Sequence, residues 1–122
     1  MVIGFKPQFE DRIIAGTKKH TIREDKHDRW HAGMLMHMAT GVRTKFYKCF
    51  KIDTCKSTQG IEIIRESDYL FDVIVTVDGR KMSIDEIQQL AWNDGFLTLI
   101  DFLLWFSEGV KGKIIHWTDL RY

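Results

Sequence analysis

The sequence predicts a single α+β domain with a mostly antiparallel sheet. Strand-like runs of β-branched and aromatic residues fill most of the chain, and two helical patterns follow near its end; such segregation is typical of α+β folds. A chain of 122 residues is long enough for one hydrophobic core and too short for two. Its 44% of hydrophobic and 29% of charged residues exclude wholesale disorder. We therefore assign residues 1–122 to one domain.

The chain should open with a strand, a short helix and a second strand. The apolar run "MVIGF", residues 1–5, has the composition of a strand. Pro7 suits the first position of a helix, and Gly16 suits its end because glycine readily adopts the left-handed conformation that stops a helix. A second strand should begin in "HTIRE", at residues 20–24.

The middle of the chain predicts four more strand-forming segments, rich in aromatic and β-branched residues. They are "GMLMHMATG", "TKFYKCFKIDTCK", "GIEIIRES" and "YLFDVIVTVDGRKMS". The last segment contains Asp78-Gly79, a dipeptide that favours a tight hairpin turn.

Two helices and a final strand complete the predicted fold. Ser83 and Glu86 have the spacing of a capping box, which indicates a helix that ends before Gly95. Its buried face should hold Ile84, Ile87 and Leu90. Thr98 can cap a second helix. "KGKIIHWTDLRY" then predicts the last strand.

Several protein classes are excluded by short features of the sequence. The first ten residues lack the basic region and long apolar run of a signal peptide. The most apolar window, residues 95–106, is short and contains an aspartate, so it predicts a buried helix and not a membrane span. Cys49 and Cys55 do not have a zinc-binding spacing and should stay reduced. We expect a cytoplasmic protein without a cofactor.

Charge is distributed unevenly along the chain, although the net charge is only +1. Residues 1–56 hold 12 Lys/Arg and 6 Asp/Glu, whereas residues 57–122 hold 6 and 11. One face of the fold should therefore be basic. The excess is smaller than a protein needs to bind duplex DNA mainly through phosphates. A nucleoside, a single nucleotide or a short RNA segment is a better match.

The segment "GTKKHTIRE", residues 16–24, is the first candidate site. In a regular strand Lys19, Thr21 and Arg23 share one face, and His20 lies on the other face with the core residue Ile22. Lys18 can join Thr21 and Arg23 only if residues 16–19 form a turn. A lysine of lowered pKa can accept the proton of a threonine, and an arginine can hold a phosphate or a carbonyl oxygen. The alternative is a solvated polar turn.

The segment "AWNDGFL" is the second candidate, because it places Asn93 and Asp94 at a helix end before a glycine. These residues are common in ordinary turns. Asp94 could instead project a carboxylate into a site as a general acid or base.

Together the two segments resemble an ASCH domain. The signature G-x-K-x-x-T-I-R is present as Gly16, Lys18, Thr21, Ile22 and Arg23, and "LAWNDGFLTLIDFL" follows near the end. The resemblance covers most of the chain, although residues 40–82 match only in pattern. It implies a PUA-like, mostly antiparallel β-barrel with peripheral helices, related to PUA RNA-binding domains.

The resemblance implies two kinds of function. Some ASCH proteins bind RNA, and a few are thought to cut it. The bacterial N(4)-acetylcytidine amidohydrolases of the family use a lysine and a threonine at the positions of Lys18 and Thr21. Their glutamate corresponds to Asp94, which is one methylene shorter. In that case Lys18 would accept the proton of Thr21, Asp94 would protonate the departing amine, and Arg23 would support the oxyanion.

Aromatic and basic residues suggest further contacts with a base or a phosphate chain. Trp30, in a polar loop, is the best candidate for an exposed stacking platform, and Trp92 could be core or pocket wall, whereas Trp105 should be core. The run "FYKCFK", with Arg43 before it, could follow an RNA backbone, or it could be an edge strand protected by lysines.

The histidines give no strong metal motif. His27 and His31 have a spacing that could bind zinc on a helix, but the residues between and after them are typical of a loop. We expect His20, His27 and His31 to be exposed loop residues and expect no metal site.

Overall fold

A computed structural model describes residues 1–122 and confirms the α+β class. Eight strands and three α-helices follow the predicted order. Their bounds are β1 Val2–Gly4, α1 Glu10–Ala15, β2 His20–Arg23, β3 Leu35–Thr40, β4 Lys48–Thr54, β5 Ser57–Arg65, β6 Val73–Val77, β7 Arg80–Lys81, α2 Ile84–Asn93, α3 Leu99–Trp105 and β8 Val110–His116. No helix is long and apolar enough to cross a membrane.

The strands form two sheets and do not close into the barrel that the ASCH resemblance implies. The first sheet has the order β1-β3-β4, in which β1 is parallel to β3, and the second has the antiparallel order β2-β8-β5-β6-β7. The chain crosses between the sheets after β4. There the Cys55 amide donates to Met34, whereas the next amide, of Lys56, donates to His116 of the second sheet. Each sheet therefore keeps two free edges.

Local signals set most helix ends as the sequence predicts, but Pro7 begins a 3-10 turn, Pro7–Phe9, and α1 itself starts at Glu10. Gly16 ends α1 in the left-handed conformation, with φ +84°. Ser83 and Glu86 form the capping box of α2, with side-chain to backbone distances of 3.2 and 3.0 Å. Ile87 and Leu90 are buried, but Ile84 is 57% exposed. The expected burial of Ile84 is wrong because Ile84 is the first residue of α2, where Ser83 and Asp85 on either side of it are also exposed.

The core lies between the sheets and the two C-terminal helices. It draws methionines from β3, branched residues from β5, β6 and β8, and Phe102 from α3. Trp117, which follows β8, is also buried there. Packing of β2 and the α1 end against this core brings residues 18–23 close to the end of α2.

Candidate functional site

A cavity of about 820 Å³ opens beside β2 and contains both predicted segments. Its walls come from the end of β1 and the segment before α1, from the turn after α1 and β2, from the loop after β3, and from the α2–α3 corner and the end of α3. Four predicted site residues line it together: Lys18, Thr21, Arg23 and Asp94. Aromatic rings supply much of the remaining wall: Phe5, Phe9, Phe46, Phe96, Trp105 and Phe106.

The turn that the sequence required at residues 16–19 is present and carries Lys18 inward. The Lys18 amide returns to the Arg12 carbonyl of α1, and the Lys19 amide donates to the Asn93 carbonyl at 2.7 Å. The turn is thus held between the ends of α1 and α2. Lys18 is only 2% exposed, and its Nζ donates to the Asp94 carbonyl at 2.6 Å and contacts Asp94 Oδ1 at 3.3 Å.

Lys18 is an ammonium group in apolar surroundings. Its Nζ lies 4.7 Å from the centre of the Phe9 ring and 5.8 Å from that of Phe5. Burial lowers the pKa of Lys18 to about 8, although the nearby Asp94 carboxylate opposes the shift. Lys18 can therefore hold or release a proton close to neutral pH.

Asp94 caps the C-terminal end of α2 and is 2% exposed. Its Oδ1 contacts both Lys18 Nζ and the Nδ1 atom of His20, which is 3.0 Å away. Its Oδ2 accepts no hydrogen bond from the protein. Gly95 follows with φ +90°, and a Cβ atom there would lie 2.9 Å from the Lys18 side chain. A glycine is therefore required next to the lysine.

Thr21 and Arg23 form a second polar pair in the cavity. Arg23 Nε donates to Thr21 Oγ1 at 3.1 Å, and its Nη2 donates to the Gly4 carbonyl at 2.6 Å. The guanidinium lies 4.9 Å from the centre of the Phe5 ring, and burial lowers the pKa of Arg23. No hydrogen bond joins Lys18 to Thr21. The hydroxyl proton of Thr21 is free to meet a ligand.

His20 and Tyr122 connect to the site through Asp94, although neither lines the cavity and neither was predicted as a site residue. His20 is fully buried, so its assignment to an exposed loop is wrong. Its Nε2 lies 2.5 Å from the Tyr122 hydroxyl, which also accepts a hydrogen bond from Asn93 Nδ2 at 3.0 Å. The signal for His20 was present, because strand alternation places it on the face of the core residue Ile22.

Two tryptophan predictions are wrong. Trp30 is 8% exposed and packs in the core, because its loop folds back: Asp25 accepts a hydrogen bond from the Trp30 amide, and Lys113 donates to the Trp30 carbonyl. It cannot be an exposed stacking platform. Trp105 was expected in the core, yet it is 48% exposed and lines the cavity, since it lies at the end of α3.

Three further candidates lie outside the cavity wall. Trp92 is half exposed on α2, and Lys19 is half buried beside Lys18, but neither lines the cavity. Arg43 belongs to the loop at residues 41–47, whose neighbouring residues do line it. In that loop Phe46 is 74% exposed at the cavity mouth. Arg43 is therefore placed to contact only a ligand that extends out of the cavity.

The His27–His31 segment is not helical, so the two rings do not have the geometry of an i, i+4 zinc pair. His31 Nε2 lies 2.7 Å from the Asp28 carbonyl. No group of three or more His, Cys, Asp or Glu side chains is placed to hold a metal ion.

No protein-family model, curated protein or solved structure matches the chain. The resemblance to ASCH domains therefore depends on the two segments that meet at the cavity.

Proposed function

We propose that the protein binds a nucleoside, a nucleotide or a base of RNA in this cavity, in the manner of ASCH-type binding domains. The observation that carries the proposal is the combination of aromatic walls with four convergent polar groups in a cavity of about 820 Å³. Ligand sites in proteins generally have such a size and a few fixed polar groups in an apolar lining.

The polar groups match a planar ligand that has both donors and acceptors. Lys18 and Arg23 donate, Asp94 Oδ2 accepts, and the Thr21 hydroxyl can do either. The rings of Phe5, Phe46 and the other wall residues offer surfaces for stacking. A nucleobase has these properties, and stacking of one base on an aromatic ring contributes about 1–3 kcal/mol.

Titration with nucleosides, nucleoside monophosphates and short single-stranded RNA tests this proposal. We expect Trp105→Ala to weaken binding by at least about tenfold, which corresponds to the loss of one stacking contact. Trp92→Ala is the matched control, because Trp92 is equally exposed but lies outside the cavity. Equal losses in the two variants, or no binding by any of the ligands, would contradict the proposal.

A second candidate function is the hydrolysis of an acylated nucleoside such as N(4)-acetylcytidine. The observation that favours it is a lysine of pKa about 8 in the same cavity as a threonine hydroxyl and a carboxylate. Neutral Lys18 would take the Thr21 proton as the oxygen bonds to the acyl carbon. The proton would pass through Asp94 to the departing amine, and water would cleave the resulting ester. Nζ would first have to move from the Asp94 carbonyl toward Thr21 Oγ1.

Incubation with N(4)-acetylcytidine and related acylated nucleosides distinguishes the two functions. Turnover should rise as pH increases through about 8, because Lys18 must lose its proton to act as a base. Lys18→Ala and Thr21→Val should abolish turnover, whereas Lys19→Ala should retain it. No product from any of these compounds would leave binding as the function.

A further inference from the structure

We propose that His20 and Tyr122 are positioning residues that fix the Asp94 carboxylate, with Oδ1 held inside the protein and Oδ2 presented to the ligand. The ligand part of this inference depends on the proposed function. The hydrogen-bond chain itself can be tested on the free protein.

The donor-to-acceptor direction of this hydrogen-bond chain is fixed at both ends, and Gln89 fixes it at the outer end. Gln89 Nε2 donates to Asn93 Oδ1 at 3.2 Å, so the Asn93 amide presents Nδ2 to Tyr122. That Nδ2 donates to the Tyr122 hydroxyl oxygen at 3.0 Å. The hydroxyl keeps its own proton to donate, and the nearest acceptor is His20 Nε2 at 2.5 Å.

The inner end of the chain requires the same arrangement. Asp94 forms an ion pair with Lys18, and an ionised carboxylate can only accept hydrogen bonds. His20 Nδ1, which lies 3.0 Å from Oδ1, must therefore carry the proton. The reverse direction would place a nitrogen lone pair against the carboxylate oxygen at that distance. Both ends thus select neutral imidazole protonated on Nδ1.

The surroundings of His20 keep the ring neutral. The titratable groups that face it are Asp94, Lys18, Tyr122 and His116, whose ring centre lies 5.1 Å away. Burial lowers the pKa of His20, and the Lys18 charge opposes its protonation. Burial also lowers the pKa of His116 to about 3. Neither ring should gain a proton near neutral pH.

The fixed Asp94 carboxylate restricts which ligand groups can bind at the inner end of the cavity. Asp94 Oδ1 already has two donors, whereas Oδ2 has none, and the side chain lines the cavity. The ligand must therefore bring an N–H or O–H donor to the inner end. A phosphate there would meet the carboxylate, so the phosphates of a nucleotide should stay toward the mouth. An exocyclic amine of a base is a suitable donor.

The tautomer of His20 can be measured directly on the ligand-free protein. A long-range ¹H–¹⁵N spectrum, assigned with His20→Gln, should show Nδ1 protonated and Nε2 unprotonated between about pH 6 and pH 8. Tyr122→Phe removes the donor to Nε2 but leaves Asp94 to hold the proton on Nδ1, so the same tautomer should persist while the Nε2 resonance shifts toward that of a nitrogen without a hydrogen bond. Tyr69→Phe is the control, because Tyr69 is 68% exposed and outside the network. A wild-type ring protonated on Nε2, or on both nitrogens, would overturn the inference.

A second measurement tests whether the ligand must bring a hydrogen-bond donor to Asp94. Adenosine and cytidine are compared with the ribosides that lack only the exocyclic amine. We expect the amine to strengthen binding by at least about tenfold in wild type and by much less in Tyr122→Phe. A merely structural role of Tyr122 would weaken all four ligands by the same factor, and that result would refute the positioning role. If none of the four ribosides binds, the proposed function is refuted. The tautomer measurement still tests the hydrogen bonds of His20 and Tyr122.

Discussion

Lys18 keeps its charge inside the protein through very few contacts. Its ammonium has one carboxylate partner, one carbonyl partner and two aromatic rings around it. Desolvation of an ammonium is expensive, and these contacts offset only part of the cost. The lowered pKa of Lys18 means that folding is opposed by protonation of this side chain.

The stability of the protein should depend on pH through Lys18. Below about pH 8 both the folded and the unfolded chain carry the Lys18 proton, whereas between about pH 8 and pH 10 mainly the unfolded chain does. The free energy of unfolding should therefore gain about 2 kcal/mol from this group between about pH 7 and pH 9.5. Lys18→Met should lack this rise, while Lys19→Met should keep it. Urea denaturation across that range measures the difference, and parallel curves for wild type and Lys18→Met would contradict the prediction.

At the scale of elements, the corner between α2 and α3 determines the geometry of the site. Gly95 is at φ +90°, and its lack of a side chain makes room for Lys18. Gly16 has a similar φ of +84°, but a Cβ atom there would meet nothing within 4 Å. The two glycines share the same left-handed backbone conformation and differ in their surroundings.

Alanine substitutions at Gly16 and Gly95 should separate the cost of the left-handed conformation from the effect of a contact with Lys18. Each substitution should lower the free energy of unfolding by about 1–2 kcal/mol, because alanine disfavours the left-handed conformation. Gly95→Ala should cost more, and it should also displace Lys18 and weaken ligand binding. Gly16→Ala should leave affinity almost unchanged. Denaturation curves and ligand titrations of both variants check this, and equal effects on affinity would exclude a specific role for the Gly95 space.

The capping box offers a prediction about stability alone. Ser83→Ala removes the side-chain acceptor for the Glu86 amide at the start of α2. The variant should be about 1 kcal/mol less stable. The Kd for the ligand should be unchanged, because the cavity residue Asp94 lies at the opposite end of the helix. If Ser83→Ala weakened the free energy of binding by more than it lowered the free energy of unfolding, the capping box would also shape the cavity.

The elements themselves were largely predictable from sequence, because their signals are local. The Gly16 stop, the Asp78-Gly79 hairpin and the Ser83 cap each act within a few residues. The environments of Trp30 and Trp105 were not predictable in this way. A polar loop folds Trp30 into the core, and the end of α3 turns Trp105 to the cavity, so both depend on distant packing.

At the scale of the whole molecule, β8 lies between β2 and β5 in the larger sheet. The sequence could not show that the strands form two sheets, because strand signals do not specify which edges pair. The same limit applied to the site. Lys18, Thr21 and Arg23 were recognisable in one segment, but the contact of His20 with Tyr122 joins residues 102 positions apart.

The uneven charge leads to a prediction about salt. A nucleoside held inside the cavity should bind with little dependence on salt, because it displaces few counterions. An RNA strand that leaves the mouth should contact Arg43 or Lys45, the two basic residues of the loop at residues 41–47. Each lost phosphate contact should reduce the slope of log K against log salt by about 0.7. Titrations of Arg43→Ala and Lys45→Ala at several salt concentrations measure this. Unchanged slopes would exclude a phosphate path along this loop.

The separation of the site residues along the chain has a consequence for folding. Asp94 meets Lys18 across 76 positions of sequence and meets His20 across 74. A fragment must contain residues 18–94 to hold all three groups, so the cavity forms only after segments far apart in the sequence have packed together. A ligand therefore selects the completely folded molecule and should raise its melting temperature by mass action.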